Sequence, residues 1–143
     1  MNIRELETND YELGYLNVLS DLTKVGTISK TEWLNQYRII SSNPFIQIWV
    51  IHDTVDNQIV GTATLLIEPK FIHNCGLVGH IEDVVLKKST QGTGLGKQIV
   101  TFLAEKAKLR GCYKVILDCT KETIGFYEKC GFTVKNTQMA VYF

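Results

Sequence analysis

At 143 residues the chain can build one compact domain with a real core and is too short for two ordinary ones, so 1–143 reads as a single domain. Apolar residues at 45% and charged residues at 21% exclude a disordered chain. The 15 basic and 15 acidic residues cancel, which argues against a nucleic-acid or anionic-membrane partner.

Taken in chain order, Asn2–Leu6 reads as a first strand, and Leu13, Leu16, Leu19 and Leu22 recur at intervals of three across a helix expected over Asp10–Leu22. Ser29 and Glu32 form a capping box before a second helix with Trp33, Tyr37 and Ile40 on one face, and Asn43-Pro44 ends it. PFIQIWVIHD and NQIVGTATLLIE are β-branched, aromatic-rich runs split by a turn at Asp53–Asn57, so they read as a hairpin. After a loop at Pro69–Gly79 a strand resumes over His80–Leu86. A helix over Gly94–Arg110, a strand in YKVILDC and a short helix in TIGFYEKC come next, with strands expected around Phe132–Val134 and Met139–Phe143. The order β-α-α-β-β-β-α-β-α-β-β mixes helices and strands in an α/β (α+β) class.

Cys75, Cys112, Cys119 and Cys130 contain no C-x-x-C pair and no histidine cluster, so no metal site is expected. MNIRELETND has no apolar signal segment and no run reaches bilayer length, so a cytoplasmic location with free thiols is expected.

Chemistry concentrates in IEDVVLKKSTQGTGLG, an apolar run leading through a polar turn into a glycine loop and a helix. Glycines at a helix entrance let several backbone N–H groups face one anion, where the helix dipole adds partial positive charge. The loop Gln91, Gly92, Thr93, Gly94, Leu95, Gly96 lacks the Walker GK[ST] ending and the dinucleotide G-x-G-x-x-G spacing. It fits Q/R-x-x-G-x-G/A and resembles the coenzyme A pyrophosphate loop of the GNAT N-acetyltransferases. That resemblance implies a mixed, mostly antiparallel sheet splayed between its fourth and fifth strands, flanked by helices, with acetyl-CoA as cosubstrate and no metal. LTKVGTIS, KFIH, GHIEDVV, QGTGLGK, GCYKVILDC and GFYEKCGF further resemble the glucosamine 6-phosphate N-acetyltransferase family, almost to the C-terminus.

The family resemblance implies residue roles. The sugar phosphate would lie near Thr23 and the loop Lys70, Phe71, Ile72, His73, and the sugar hydroxyls and amine near Glu82, Asp83 and Asp118. Val84, Val85 and Leu86 would hold the pantetheine arm and thioester oxygen through their amides, aided by Thr123. Gln91–Gly96 and Lys97 would hold the diphosphate, and Tyr127 would serve the departing sulfur. Tyr127, Asp118 and Glu82 are thus the catalytic candidates. The family enzyme is a homodimer whose sugar sites take residues from both subunits.

Each of these residues also has an ordinary reading. Lys70 and His73 suit a solvated loop, Asp118 suits a helix N-cap, and Tyr127 suits aromatic packing on the sheet. Adjacent carboxylates at Glu82 and Asp83 are harder to explain in an alternating strand, because one should face inward, where burial is costly without a partner or ligand, and a bulge would re-aim both toward a site. Two positions depart from the family pattern: Thr123 replaces a common asparagine, and Tyr142 stands where a basic phosphate ligand is expected. An acetyltransferase of the same fold for a peptide, lysine or polyamine, or a non-catalytic coenzyme A sensor, are the competing functions.

Overall fold

The computed structural model describes residues 1–143. Its five strands lie in sequence order: β1 (Asn2–Glu5), β2 (Ile46–Asp53), β3 (Gln58–Pro69), β4 (Leu77–Leu86) and β5 (Cys112–Ile116). The first three pairings are antiparallel and β4–β5 is parallel. A parallel neighbour requires a crossover, and helix α4 (Leu95–Leu109) supplies it.

Strand alternation divides the core between two faces. On one, Leu65, Ile67 and Ile81 pack on Ile99, Val100, Leu103 and Ala107 of α4. On the other, Val50, Ile59 and Val85 meet Tyr15 and Val18 of α1 (Tyr15–Ser20) and Trp33 of α2 (Lys30–Ser41). The expected capping box starts α2: the Glu32 amide donates to Ser29 Oγ at 3.2 Å, and the Ser29 amide to Glu32 Oε2 at 2.7 Å. Asp10, fully buried, ties the first strand to the turn after it by accepting two bonds from Arg4, at 2.7 and 2.8 Å, and one from the Glu7 amide at 2.8 Å.

Two expectations need correction. The first helix divides into a 3-10 turn over Thr8–Tyr11 and the six-residue α1, separated by Gly14 at φ 83°. Leucines every third residue match the 3-10 repeat as well as the α-helix, and Gly14 opens the left-handed break. The tail from Phe132 to Phe143 forms no strand. Its Val134, Met139, Val141 and Phe143 are exposed; apolar residues give strand potential, but a strand exists only on a partner edge.

Between β3 and β4 the register passes from Thr64↔Glu82 to Thr62↔Val85, with Asp83 at φ 50°. This bulge coincides with separation of β4 from β5: their pairing covers only Leu77–His80 of β4, which runs on to Leu86. Bulges bend the strand that carries them and raise its twist, so β4 leaves its parallel neighbour and the expected splay opens.

Candidate active site

The glycine loop stands at the C-terminal end of β4. Gly92 and Gly94 have φ 79° and 87°, a backbone only glycine enters freely, and a Cβ built on either meets nothing within 4 Å. Gly94 is the N-cap of the 15-residue α4 and offers no side-chain bond to the first turn, so N–H groups there are left for an external acceptor. The open space beside these N–H groups leaves room for the diphosphate of a coenzyme A thioester. Gln91, Thr93 and Lys97 are exposed around it, whereas Leu95 is buried in the core. Gly96 serves packing as well: an added Cβ would stand 3.2 Å from the Phe126 ring and 3.5 Å from Leu86.

The splay begins beside this cradle. Val84, Val85 and Leu86 lie in the part of β4 that β5 leaves unpaired. Helix α5 (Ile124–Glu128) packs Tyr127 on the same core cluster as Val84 and Leu86, its ring edge-on to Phe126 at 4.9 Å and to Phe132 at 6.3 Å. Burial pushes the Tyr127 phenol up, the Cys119 and Cys130 thiols add to the rise, and no hydrogen bond opposes it. A phenol held in its protonated form is a donor. Thr123 precedes α5, with its hydroxyl spent on the Thr120 carbonyl at 3.1 Å.

Glu82 and Asp118 face each other across the mouth of the splay. Ile81 points into the α4 core, so Glu82 takes the opposite face. His80 pairs with Ile116; two residues further along the parallel strands stand Glu82 and Asp118. Burial raises Glu82 above the ordinary glutamate range, with Asp118 and then Asp83 adding to it. Asp118 does not cap a helix, since Thr120 holds that place; it accepts from Gln138 Nε2 at 3.0 Å. The bulge turns Asp83 toward a cleft of about 220 Å³ beneath α1 and α2, lined also by Leu16, Leu19, Tyr37 and Thr64. Tyr15 on that cleft is pushed up to about 12 by burial, which outweighs its hydrogen bond with Thr62.

The residues expected at the phosphate are not brought together in one chain. Thr23 follows Asp21, which pairs with Lys88 at 3.7 Å beyond the C-terminal end of β4. Lys70, Phe71, Ile72 and His73 form the loop before its N-terminal end, closed by the Lys70 amide on the Gly76 carbonyl at 2.9 Å. The 10 residues of β4 separate these ends by roughly 30 Å. Lys70 Nζ is engaged by Glu68 Oε1 at 2.6 Å. His73, at φ 52°, stacks on Tyr113 with centroids 4.1 Å apart, in a turn labelled α3 (Ile72–Cys75) whose Asn74 and Cys75 are also left-handed. Phe71 and Ile72 point to solvent, and so does Tyr142, which supplies no charge.

Sequence reading passed over three residues of this surface: Glu68, His80 and Gln138. His80 had a signal, because its i, i+2 relation to Glu82 puts both on one face of a strand. The Gln138 contact had none, since it crosses 20 positions from a tail without regular structure.

Comparison with known proteins agrees with this fold. The model of the acetyltransferase (GNAT) family matches residues 3–132. The chain is 43% identical over 142 residues to glucosamine 6-phosphate N-acetyltransferase of Arabidopsis thaliana, covering 99% of this chain and 95% of the relative. The Candida albicans enzyme of the same name is 44% identical, with 98% and 94% covered. The crystal structure of the Arabidopsis thaliana enzyme superposes with a TM-score of 0.97 at 43% identity, covering 99% of this chain and 97% of that one. On fold, glycine loop and sequence together, the chain belongs to the acetyltransferase (GNAT) family.

Proposed function

We propose that this chain transfers the acetyl group of acetyl-CoA to the amine of D-glucosamine 6-phosphate, giving N-acetyl-D-glucosamine 6-phosphate and CoA for UDP-N-acetylglucosamine synthesis. The observation that carries the reading is the splay itself, with an open glycine cradle at one end and the Glu82–Asp118 carboxylates at its mouth. Support for the sugar comes from the relatives of that name, matched at 43% and 44% identity over nearly their full length.

In this reading the amides from Gly92 to Lys97 hold the diphosphate, and those of Val84–Leu86 hold the pantetheine arm and face the thioester oxygen, stabilising charge that develops there. Glu82 and Asp118 orient the amine and hydroxyls, with Asp83 at the edge. An amino-sugar amine titrates nearer neutrality than lysine, so part of it is already nucleophilic at cellular pH. Positioning then supplies much of the rate, and attack is direct within a ternary complex. Tyr127 donates its proton to the departing thiolate.

The functional unit is a homodimer. Phe71, Ile72, Met139, Val141, Tyr142 and Phe143 leave an apolar surface uncovered, and β5 keeps a free outer edge; both are hazards unless a second copy covers them. The roughly 30 Å between the Thr23 and Lys70 ends of β4 gives a second argument: one phosphate can meet both groups only if they come from two chains.

Thiol release from acetyl-CoA with a panel of glucosamine 6-phosphate, glucosamine, a lysine peptide and spermidine tests the substrate. We expect strong preference for the sugar phosphate. Equal efficiency on glucosamine would remove the phosphate assignment, and no release with any amine would favour a coenzyme sensor. Tyr127→Phe keeps the ring and deletes the proton donor, so turnover should fall by about tenfold to several hundredfold with acetyl-CoA affinity unchanged; wild-type turnover, with chemistry rate-limiting, would reassign Tyr127 to packing. Light scattering at micromolar concentration should give twice the chain mass, and a mass near 16.2 kDa would exclude the dimer.

A further inference from the structure

The Glu68 carboxylate on β3 holds two side chains at once. Its Oε1 accepts from Lys70 Nζ at 2.6 Å, and its Oε2 faces His80 Nε2 at 2.8 Å. The hydrogen bonds from Lys70 and then His80 hold Glu68 below the usual carboxylate range, so the anion persists at neutral pH. A carboxylate facing Nε2 places the ring proton on that nitrogen and leaves Nδ1 of the neutral imidazole as an acceptor. The pair is therefore a fixed-tautomer base, and the His80 side chain is 22% exposed, which opens it to solvent.

Its position relative to the carboxylates gives it a task. His80 and Glu82 are i, i+2 on β4, so they share a face with backbones roughly 7 Å apart, and the imidazole lies near enough to act on the Glu82 carboxyl, a separation that a short chain of water spans. Glu68 holds the ring directly, with Lys70 on its other oxygen; Glu82 on β4 feels His80, Asp118 and Asp83, and Lys114 is the β5 partner of Val78, two residues before His80. Glu82 already carries repulsion from Asp118 and Asp83. That makes it a ready acceptor of a proton, and it must lose that proton before the next turnover. Asp118 is bonded to Gln138; no other imidazole lies on this strand.

We propose that the Glu68–His80 pair is the outlet for the proton released by the substrate amine. As the new C–N bond forms, Glu82 takes the N–H proton while its electron pair stays on nitrogen. Glu82 passes the proton through water to His80 Nδ1, and the imidazolium, paired with Glu68, gives it to solvent. This rests on the amine-acetylation reading above. Glu68 and His80 are positioning and relay groups; neither needs to touch the sugar.

The test is steady-state kinetics with acetyl-CoA and glucosamine 6-phosphate on wild type, His80→Gln, His80→Ala, Glu68→Gln and the His80→Gln/Glu68→Gln double variant, with thermal melting of each. His80→Gln should lower kcat by about 10- to 100-fold and leave the KM for acetyl-CoA within about twofold. Glu68→Gln should cost less, about 3- to 10-fold, and the double variant should be no worse than His80→Gln, as expected for residues acting as one unit. Added imidazole should restore turnover to His80→Ala in a concentration-dependent way, which a lost packing contact cannot produce. Wild-type kcat in a normally melting His80→Gln, or losses that track melting temperature without imidazole rescue, would overturn the outlet while leaving the substrate reading intact. A wild type that leaves glucosamine 6-phosphate unacetylated would overturn both.

Discussion

The parallel ladder between β4 and β5 stops at His80–Ile116, while β4 continues to Leu86, and the site exists because of that mismatch. A strand interior cannot accept a ligand, since its N–H and C=O groups are already paired. Here the bulge at Asp83 bends β4 away, and the freed edge becomes a surface that an extended pantetheine arm can line. Helix α4 then starts nine residues after the end of that edge, so the unpaired strand end and the free N–H groups of the first helical turn follow one another in the chain. The core secures the two walls separately: Ile81 and Leu95 share the α4 cluster, and Phe126 closes on Gly96.

Charge is distributed unevenly along the splay in a chain whose formal charges cancel. The glycine-loop end offers backbone dipoles and Lys97. The other end offers Glu82, with Asp118 and Asp83 close enough that each raises the cost of ionising it. Such an arrangement favours a cationic or amine-bearing group next to the carboxylates and an anion at the helix, which is the polarity that a thioester and an amino sugar require. The phosphate of the proposed acceptor is the exception. The cations proposed for it lie in the Lys70–His73 loop, one of them held by Glu68, and Tyr142 adds none.

Much of this was legible in the sequence where the determinant was local. The Ser29–Glu32 box, the Asn43-Pro44 stop, the hairpin and the glycine loop each depend on residues a few positions apart, and all appear as expected. The Glu82-Asp83 pair marked a place where alternation would bury a charge, and of the two resolutions, a buried partner or a bulge, the strand shows a bulge at Asp83. What escaped depends on contacts across the chain. The first helix splits at Gly14, where a spacing of three fits two helix types. The tail strands need an edge that one chain does not supply. Thr23 and the Lys70 loop were joined by the family resemblance, but they sit at opposite ends of a 10-residue strand, and nothing local in either segment records that distance.

The central claim is that the open space over the glycine loop is the acyl-CoA site, and calorimetric titration of acetyl-CoA into wild type and Gly94→Val tests it most directly. At φ 87° with nothing within 4 Å of an added Cβ, a valine side chain projects into the space assigned to the diphosphate and strains the loop backbone that presents the amides. The account predicts affinity at least about tenfold weaker, a loss of about 1.4 kcal/mol, in a variant whose far-ultraviolet circular dichroism matches wild type. Unchanged affinity in that folded variant would contradict it.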